Sequence, residues 1–220
     1  MSQIRSIDDI KNIVYINLAY RTDRKEHVEK QIVKLGLNDT TQIDRFNAIS
    51  LENGALGCSM SHLKCLENAK KNNLEHIMII EDDIEFLSSD IFKKQLNGFL
   101  ESCDVWDVIL IAGNNMIPYA PYNEYAIRAF NCQTTTGYIV RNSYYDTLIK
   151  NIKEGVQLLM KTPEEKQKYA IDKYWLNLQK QDKWYLIVPL TVVQREDYSD
   201  IEKKNTNFKN YMMNYNKAYR

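Results

Sequence analysis

The sequence predicts an α/β fold: one domain with a mainly parallel, Rossmann-like sheet flanked by helices, and a more mixed C-terminal half. Three observations carry this. Short apolar runs rich in β-branched residues alternate with amphipathic helical stretches through the first half of the chain. Several of those runs are nearly continuous in apolar character, as expected for strands covered on both faces. The 220 residues are 44% hydrophobic and 26% charged, with only 7 Gly and 4 Pro, which fits one packed core without long flexible linkers.

The elements follow in order. Ile13 to Leu18 reads as a buried strand. Thr22 opens a helix with Asp23 and Glu26 in its first turn, a capping arrangement with acids at the positive end of the dipole. Val28, Ile32 and Leu35 form its apolar stripe, and Gly36 ends it. Residues 43–48 form a second strand, and Asn53-Gly54 a turn. A helix starting near Gly57 buries Met60, Leu63, Cys65, Leu66 and Ala69. His76 to Ile80 is an apolar strand that runs into Glu81-Asp82-Asp83. Ser88-Ser-Asp90 caps a helix whose stripe is Phe92, Leu96, Phe99 and Cys103. Trp106 to Ile111 is another strand, stopped by Gly113. Further on, 126–132 and 137–140 are candidate strands, and 142–154 and 171–181 candidate helices. Trp184 to Val188 and Thr191 to Gln194 close the set. Residues 1–201 are read as one domain and 202–220 as a polar, loosely attached tail.

Composition excludes several classes. The formal net charge is +0, which argues against broad attraction to nucleic acid or a membrane surface. No apolar run approaches the roughly 20 residues that span a bilayer, and the N-terminus lacks the apolar core of a signal peptide. Cys58, Cys65, Cys103 and Cys132 form no C-x-x-C pair and no zinc-ligand spacing with the three histidines. Buried free thiols in a reducing compartment are expected.

The most informative segment is Ile77 to Glu85, where an apolar strand ends abruptly in adjacent acids. In open α/β sheets, ligands bind beyond the carboxyl ends of the strands. Two carboxylates about 4 Å apart repel by about 4 kcal/mol at an effective dielectric near 20. Such groups splay into water or share a cation, and hard oxygen ligands suit Mg²⁺ or Mn²⁺. In an extended segment Glu81 and Asp83 share one face and Asp82 takes the other. Asp83 is the expected metal ligand, supported by Asp82, and one of the other two acids is expected on ribose or a metal-bound water. A solvated acidic turn is the competing reading.

Two further clusters point the same way. Arg21 and Arg24 follow Asn17 and Leu18 at the start of a helix, where backbone N–H groups favour anions, so a diphosphate or a uracil carbonyl suits that corner. Surface ion pairs are the alternative there. In Gly57-Cys-Ser-Met-Ser-His62, small residues at a helix start let a ligand approach the backbone. His62 is then placed for a phosphate or metal, against a purely structural hydrogen bond.

Together these segments resemble glycosyltransferase family 25, the lipopolysaccharide and collagen-type β-galactosyltransferases. The resemblance spans roughly residues 12–201 and is carried by motifs in order. These are Asn17-Leu18 with Arg21 and Arg24, Gly57-Cys58 with Ser61-His62, and Glu81-Asp82-Asp83. Thr135 to Val140, Ile171-Asp172, Pro189 to Gln194 and Ser199-Asp-Ile201 follow. It implies a GT-A fold, a UDP-sugar donor, Mn²⁺ or Mg²⁺, and inverting transfer of a hexose to a hydroxyl of a glycan or protein acceptor. Asn17, Leu18, Arg21, Arg24, Gly57, Ser61, His62, Glu81, Asp82 and Gln194 are then the donor-binding set. Inversion needs one general base. Asp172, which opens a helix well after the acidic strand and resembles the family's late acidic residue, is the candidate. The short chain, without an evident anchor or secretion signal, favours a cytoplasmic microbial or viral glycan pathway over collagen modification; a homodimer is compatible. A metal-dependent phosphohydrolase using Asp82 and Asp83, or a non-catalytic sugar-binding module, are the competing functions.

Overall fold

In a computed structural model that describes residues 4–37 and 40–218, the chain adopts the expected α/β architecture. The first half runs β1 (Asn12–Asn17), α1 (Thr22–Val33), β2 (Gln42–Asn47), α2 (Gly54–Lys71), β3 (His76–Glu81), β4 (Ile84–Phe86), α3 (Ser89–Ser102) and β5 (Val108–Leu110). The second half adds β6 (Asn114–Asn115), β7 (Tyr119–Pro121), β8 (Ala126–Ala129), β9 (Cys132–Gln133), β10 (Gly137–Arg141) and α4 (Tyr145–Lys161). Then follow α5 (Lys166–Tyr169), α6 (Ile171–Tyr174), α7 (Leu176–Gln181), β11 (Trp184–Ile187), β12 (Val192–Gln194), β13 (Asp197–Ser199), β14 (Lys204–Thr206) and α8 (Lys209–Met212).

The main sheet has the order β2-β1-β3-β10-β5-β11-β8-β7. Strands β2, β1, β3, β5, β11 and β7 run one way, while β10 and β8 run against them. The sheet is therefore mixed, with the antiparallel strands drawn from the second half, as its weaker strand–helix alternation suggests.

Strand β3 shows why the sheet lies in the middle. Its period-2 alternation sends Met78 and Ile80 to one face and Ile77 and Ile79 to the other, and all four are buried. The first pair packs with Val28 and Ile32 of α1 and Phe92, Leu96 and Phe99 of α3. The second pair packs with Leu63 and Leu66 of α2 and Leu148 and Ile152 of α4. Complete burial of such side chains contributes about 1.5–3 kcal/mol each, so the strand that carries the acids is also the best-anchored one.

Local expectations were met unevenly. Ser88 caps α3, accepting a hydrogen bond from the Ile91 N–H. Gly36 ends the α1 region with φ +58°. Thr22 is the first residue of α1, but Arg21 sits at the cap and makes no capping side-chain bond there. Asn53-Gly54 is a helix start rather than a free turn: Asn53 caps α2 through the Leu56 N–H, so the helix begins before Gly57. The helix expected over 171–181 is broken at Trp175, which is fully buried. The strand expected over 126–132 divides, with β8 joining the main sheet and β9 pairing β6. The polar segment after residue 201 folds onto the same body. Met212 is buried and its sulfur accepts from the Gln194 N–H. The Lys217 ammonium donates to the carbonyls of Asn115, Tyr211 and Asn214. Cys65, Cys103 and Cys132 are buried free thiols, and Cys58 is half-buried. Among the described residues no helix is long and apolar enough to cross a membrane.

Gly57 has a packing reason to be glycine. A Cβ added there would lie 2.4 Å from the backbone carbonyl oxygen of Ile49. Gly57→Ala is therefore expected to destabilise the fold by about 1–3 kcal/mol through overpacking against backbone. Urea denaturation measures this, and parent-like stability would contradict it.

Candidate active site

The site is built where β3 leaves the sheet. Strand β1 runs parallel to β3 with Ile16 opposite Glu81, so Asn17 comes level with Asp82. The Asn17 side-chain amide donates to Asp82 Oδ2 at 2.7 Å and to the Arg21 carbonyl at 3.0 Å. Its own oxygen accepts from Arg45 Nε at 2.9 Å. Asn17 thus ties β1, the α1 start and the acidic turn together. Leu18 takes part through its carbonyl, which accepts the Arg21 N–H of that turn.

The three acids divide, though not by simple alternation. Residues 82 and 83 form a turn between β3 and β4, so the extended geometry that would pair Glu81 with Asp83 stops at Glu81. Asp82 and Asp83 both turn toward Arg24, whose Nη1 lies 2.9 Å from Asp82 Oδ1 and 3.5 Å from Asp83 Oδ2. Gln194 Nε2 approaches Asp83 Oδ2 at 3.4 Å. The other Asp83 oxygen, Oδ1, is buried without a hydrogen-bond partner. Burial pushes the Asp83 carboxyl up to about 8, reinforced by the charges of Glu81 and Asp82 and opposed by Arg24. Asp82 is also raised by burial, with Arg24 and Asn17 opposing the shift.

Glu81 points the other way. Its Oε1 accepts from Thr135 Oγ1 at 2.8 Å, lies 3.3 Å from His62 Nε2, and is 3.5 Å from Cys58 Sγ. Burial acts to raise its pKa, but the His62, Thr135 and Cys58 contacts outweigh burial and lower it. His62 is fully buried, with Nδ1 3.1 Å from the Tyr138 hydroxyl. Cys58, His62 and Glu81 each present one ligand atom, all within 4.8 Å of one another. That mixed sulfur, nitrogen and oxygen set is softer than Mg²⁺ or Mn²⁺ prefers. The Cys58 thiol is pushed well above its usual range by burial and by Glu81, which keeps it protonated. Ser61 is occupied structurally: its hydroxyl donates to the Gly57 carbonyl and accepts from the Ile49 N–H.

Asp172, in the first turn of α6, reaches back across the site. Its Oδ2 accepts from the Thr134 N–H at 3.1 Å. Burial raises its pKa, Lys173 and the Thr134 bond oppose the rise, and the Glu81 charge adds to it. Thr134 has φ +72°, a left-handed conformation uncommon for a branched residue, and the Asp172 contact helps to hold it there.

A cavity of about 570 Å³ joins part of this set, with Cys58, Glu81, Thr135, Asp172, Lys173 and Gln194 in its walls. Of the expected residues, Glu81, Asp172 and Gln194 meet there. Asn17, Arg21, Arg24, Asp82 and Asp83 form a neighbouring charged cluster outside the lining set. The arginines also meet acids from the late chain: Asp197 and Asp200 pair with Arg21, and Asp197 with Arg24. Thr135 and Arg45 were not singled out as site residues. Thr135 stood in a motif read only as a strand, and β2, which carries Arg45, is a polar, largely exposed strand with no motif.

Parts of this chain are similar to known proteins. The family model described as glycosyltransferase family 25 (LPS biosynthesis protein) matches residues 48–162. That span contains Gly57 to His62 and Glu81 to Asp83 but neither the arginines nor Asp172. A protein of Anopheles gambiae named "Glycosyltransferase 25 family member" is 24% identical over 162 residues, covering 60% of this chain and 27% of that protein. The chain thus spans about a quarter of that relative's length. A mannose-1-phosphate geranyltransferase from Thermus thermophilus aligns with a TM-score of 0.44 at 12% identity, covering 80% of this chain and 72% of its own. A glycosyltransferase involved in the glycosylation of the major capsid of PBCV-1 aligns with a TM-score of 0.40 at 13% identity, covering 81% and 92%.

The side chains of Arg24, Asp82 and Asp83 are only 11%, 9% and 16% exposed. Removing the cation leaves the buried Asp82 carboxylate with Asn17 but no positive partner, so Arg24→Met is expected to cost about 3–5 kcal/mol of stability. Chemical denaturation gives the value, and a loss below about 1 kcal/mol would mean that the cluster behaves as a surface ion pair.

Proposed function

The chain belongs to glycosyltransferase family 25, and from that premise we propose that it transfers a hexose from a UDP-sugar to an acceptor hydroxyl, with inversion and with a divalent metal. The single observation that carries this reading is the shared cavity: it brings a buried, pKa-raised carboxylate, Asp172, to the same space as the acidic end of β3. The family description names lipopolysaccharide biosynthesis, which favours a glycan as acceptor.

The chemistry assigns each residue a task. The acceptor oxygen attacks the anomeric carbon, the bond from that carbon to the UDP oxygen breaks, and the acceptor proton passes to Asp172. A carboxylate whose pKa is raised is a stronger base than a free one. The Thr134 N–H orients Asp172 and favours its charged form. Glu81, fixed by Thr135 and His62, is held as an anion and is the poorer base. Its place favours orienting donor hydroxyls. Gln194, which reaches both Asp83 and the cavity, suits a contact to the donor sugar.

The residues fit a hard cation. Asp83 Oδ1 is a buried oxygen without a partner, and Asp82 lies beside it. Asp83 with Asp82 would hold Mn²⁺ or Mg²⁺, which when bound supplies charge neutralisation for the leaving diphosphate. Arg24, which pairs with both acids, and Arg21, which shares Asp197 with it, are assigned to the same diphosphate.

Two measurements test the function. Incubation with a panel of UDP-sugars, Mn²⁺ and oligosaccharide acceptors should give a product heavier by one hexose, detected by mass spectrometry, with one donor preferred. Free phosphate as the sole product would support a phosphohydrolase, and unchanged donor with bound UDP would support a sugar-binding module. Separately, Asp172→Asn keeps shape but accepts no proton. It should bind UDP like the parent and lose transfer by about 10²-fold or more. Transfer near the parent rate would make Asp172 a purely structural residue.

A further inference from the structure

The arginines assigned to the donor's diphosphate already hold anions, and those anions belong to this chain. Arg21 Nη1 lies 2.8 Å from Asp200 Oδ2, and Arg21 Nη2 lies 3.0 Å from Asp197 Oδ2. Arg24 Nε lies 3.1 Å from the same Asp197 oxygen. The Tyr198 carbonyl accepts from Arg21 at 3.2 Å and from Arg24 at 3.0 Å. Arg21 also pairs with Asp23 of α1 at 2.9 Å, so both guanidinium groups are saturated, and their side chains are only 12% and 11% exposed.

All of these late acceptors lie on one hairpin, β13–β14, residues 197–206. Its hold on the body is mainly electrostatic. Every residue from 197 to 206 is half-buried or exposed, so little apolar packing opposes its release. Further ties are polar contacts, Arg195 to Asp197, Tyr20 to Asp200 and Lys166 to Glu202, and the approach of Ile201 to Gly54. Segments with few buried apolar contacts open locally at low free-energy cost. The same hairpin supplies Ser199, Ile201, Glu202 and Asn205 to the wall of the 570 Å³ cavity.

We infer that the 197–206 hairpin is a built-in competitor for the arginine pair: Asp197 and Asp200 occupy the place of a nucleoside diphosphate, and donor binding displaces them and opens the cavity wall. This rests on the reading of Arg21 and Arg24 as the donor side. The exchange is physically economical. A guanidinium binds phosphate oxygens in the same forked geometry as carboxylates, so neither arginine is left uncompensated while the anions change places. Arg24 also keeps Asp82 and Asp83, which sit on the turn held by Asn17 and do not move with the hairpin.

The test combines hydrogen exchange with binding. In the parent protein with Mn²⁺, saturating UDP should speed amide exchange across 197–206, and inorganic diphosphate should do the same. Asp197→Asn combined with Asp200→Asn should speed that exchange without ligand and tighten UDP binding by about tenfold, since the competent state is no longer taxed by closure. Glu196→Gln, which removes a nearby acid that bonds Asn207 and not the arginines, should leave UDP affinity unchanged. Slower exchange in 197–206 on adding UDP, or a double variant that binds UDP no tighter than the parent, would overturn the inference. If UDP binds neither protein while inorganic diphosphate still frees the hairpin, the donor reading fails and the competitor role stands. If neither anion frees it, the competitor role fails even where UDP binds.

Discussion

The Arg24 guanidinium sits among Asp82, Asp83 and Asp197, and the arrangement of the site depends on that placement. Two neighbouring carboxylates at the end of a buried strand repel by about 4 kcal/mol at a separation near 4 Å and an effective dielectric near 20. One cation at 2.9 Å and 3.5 Å opposes that repulsion with attractions of similar size. The compensation is incomplete. Asp83 keeps one buried oxygen without a partner, and burial, with the charges of Glu81 and Asp82 behind it, pushes its carboxyl up to about 8.

The fold sets where these groups stand. Strand β3 is covered on both faces, so it delivers its acids to a fixed place, and β1 delivers Asn17 beside them. Across the cavity, Asp172 and Thr134 form a second fixed point, with Thr134 held at φ +72°. On the proposed function, one end of the site takes the cation and the phosphates and the other takes the proton. This division matches the needs of displacing a diphosphate with a hydroxyl. The hairpin over the arginines adds a third part, held by charge rather than by packing.

Legibility in the sequence followed burial. Strands β1, β3, β5 and β11 stood out because a strand covered on both faces must be apolar almost throughout. The helices stood out where one stripe is buried, as in α3. The acids were visible for the complementary reason, since charge next to such a run needs an explanation. Their division was not visible: alternation assumes an extended chain, and the turn at Asp82-Asp83 sends both toward Arg24. The part played by Arg45 was hidden because its strand is exposed at the sheet edge. The 197–206 hairpin had no apolar period to reveal it, and its partners lie far away in sequence. Ser61 and Gly57 also serve the 49–51 segment, by hydrogen bonding and by close packing, which the motif alone did not reveal.

The central claim is that the acidic end of β3 joins a divalent cation to a nucleotide, and calorimetry of UDP binding tests it most directly. Titrations of the parent protein and of Asp83→Ala, each with Mn²⁺ and with excess EDTA, separate the contributions. The account predicts that Mn²⁺ strengthens UDP binding to the parent by at least about tenfold, a gain that Asp83→Ala abolishes while its melting transition stays cooperative. Equal UDP affinity in Mn²⁺ and EDTA, or a gain that survives in Asp83→Ala, would contradict it.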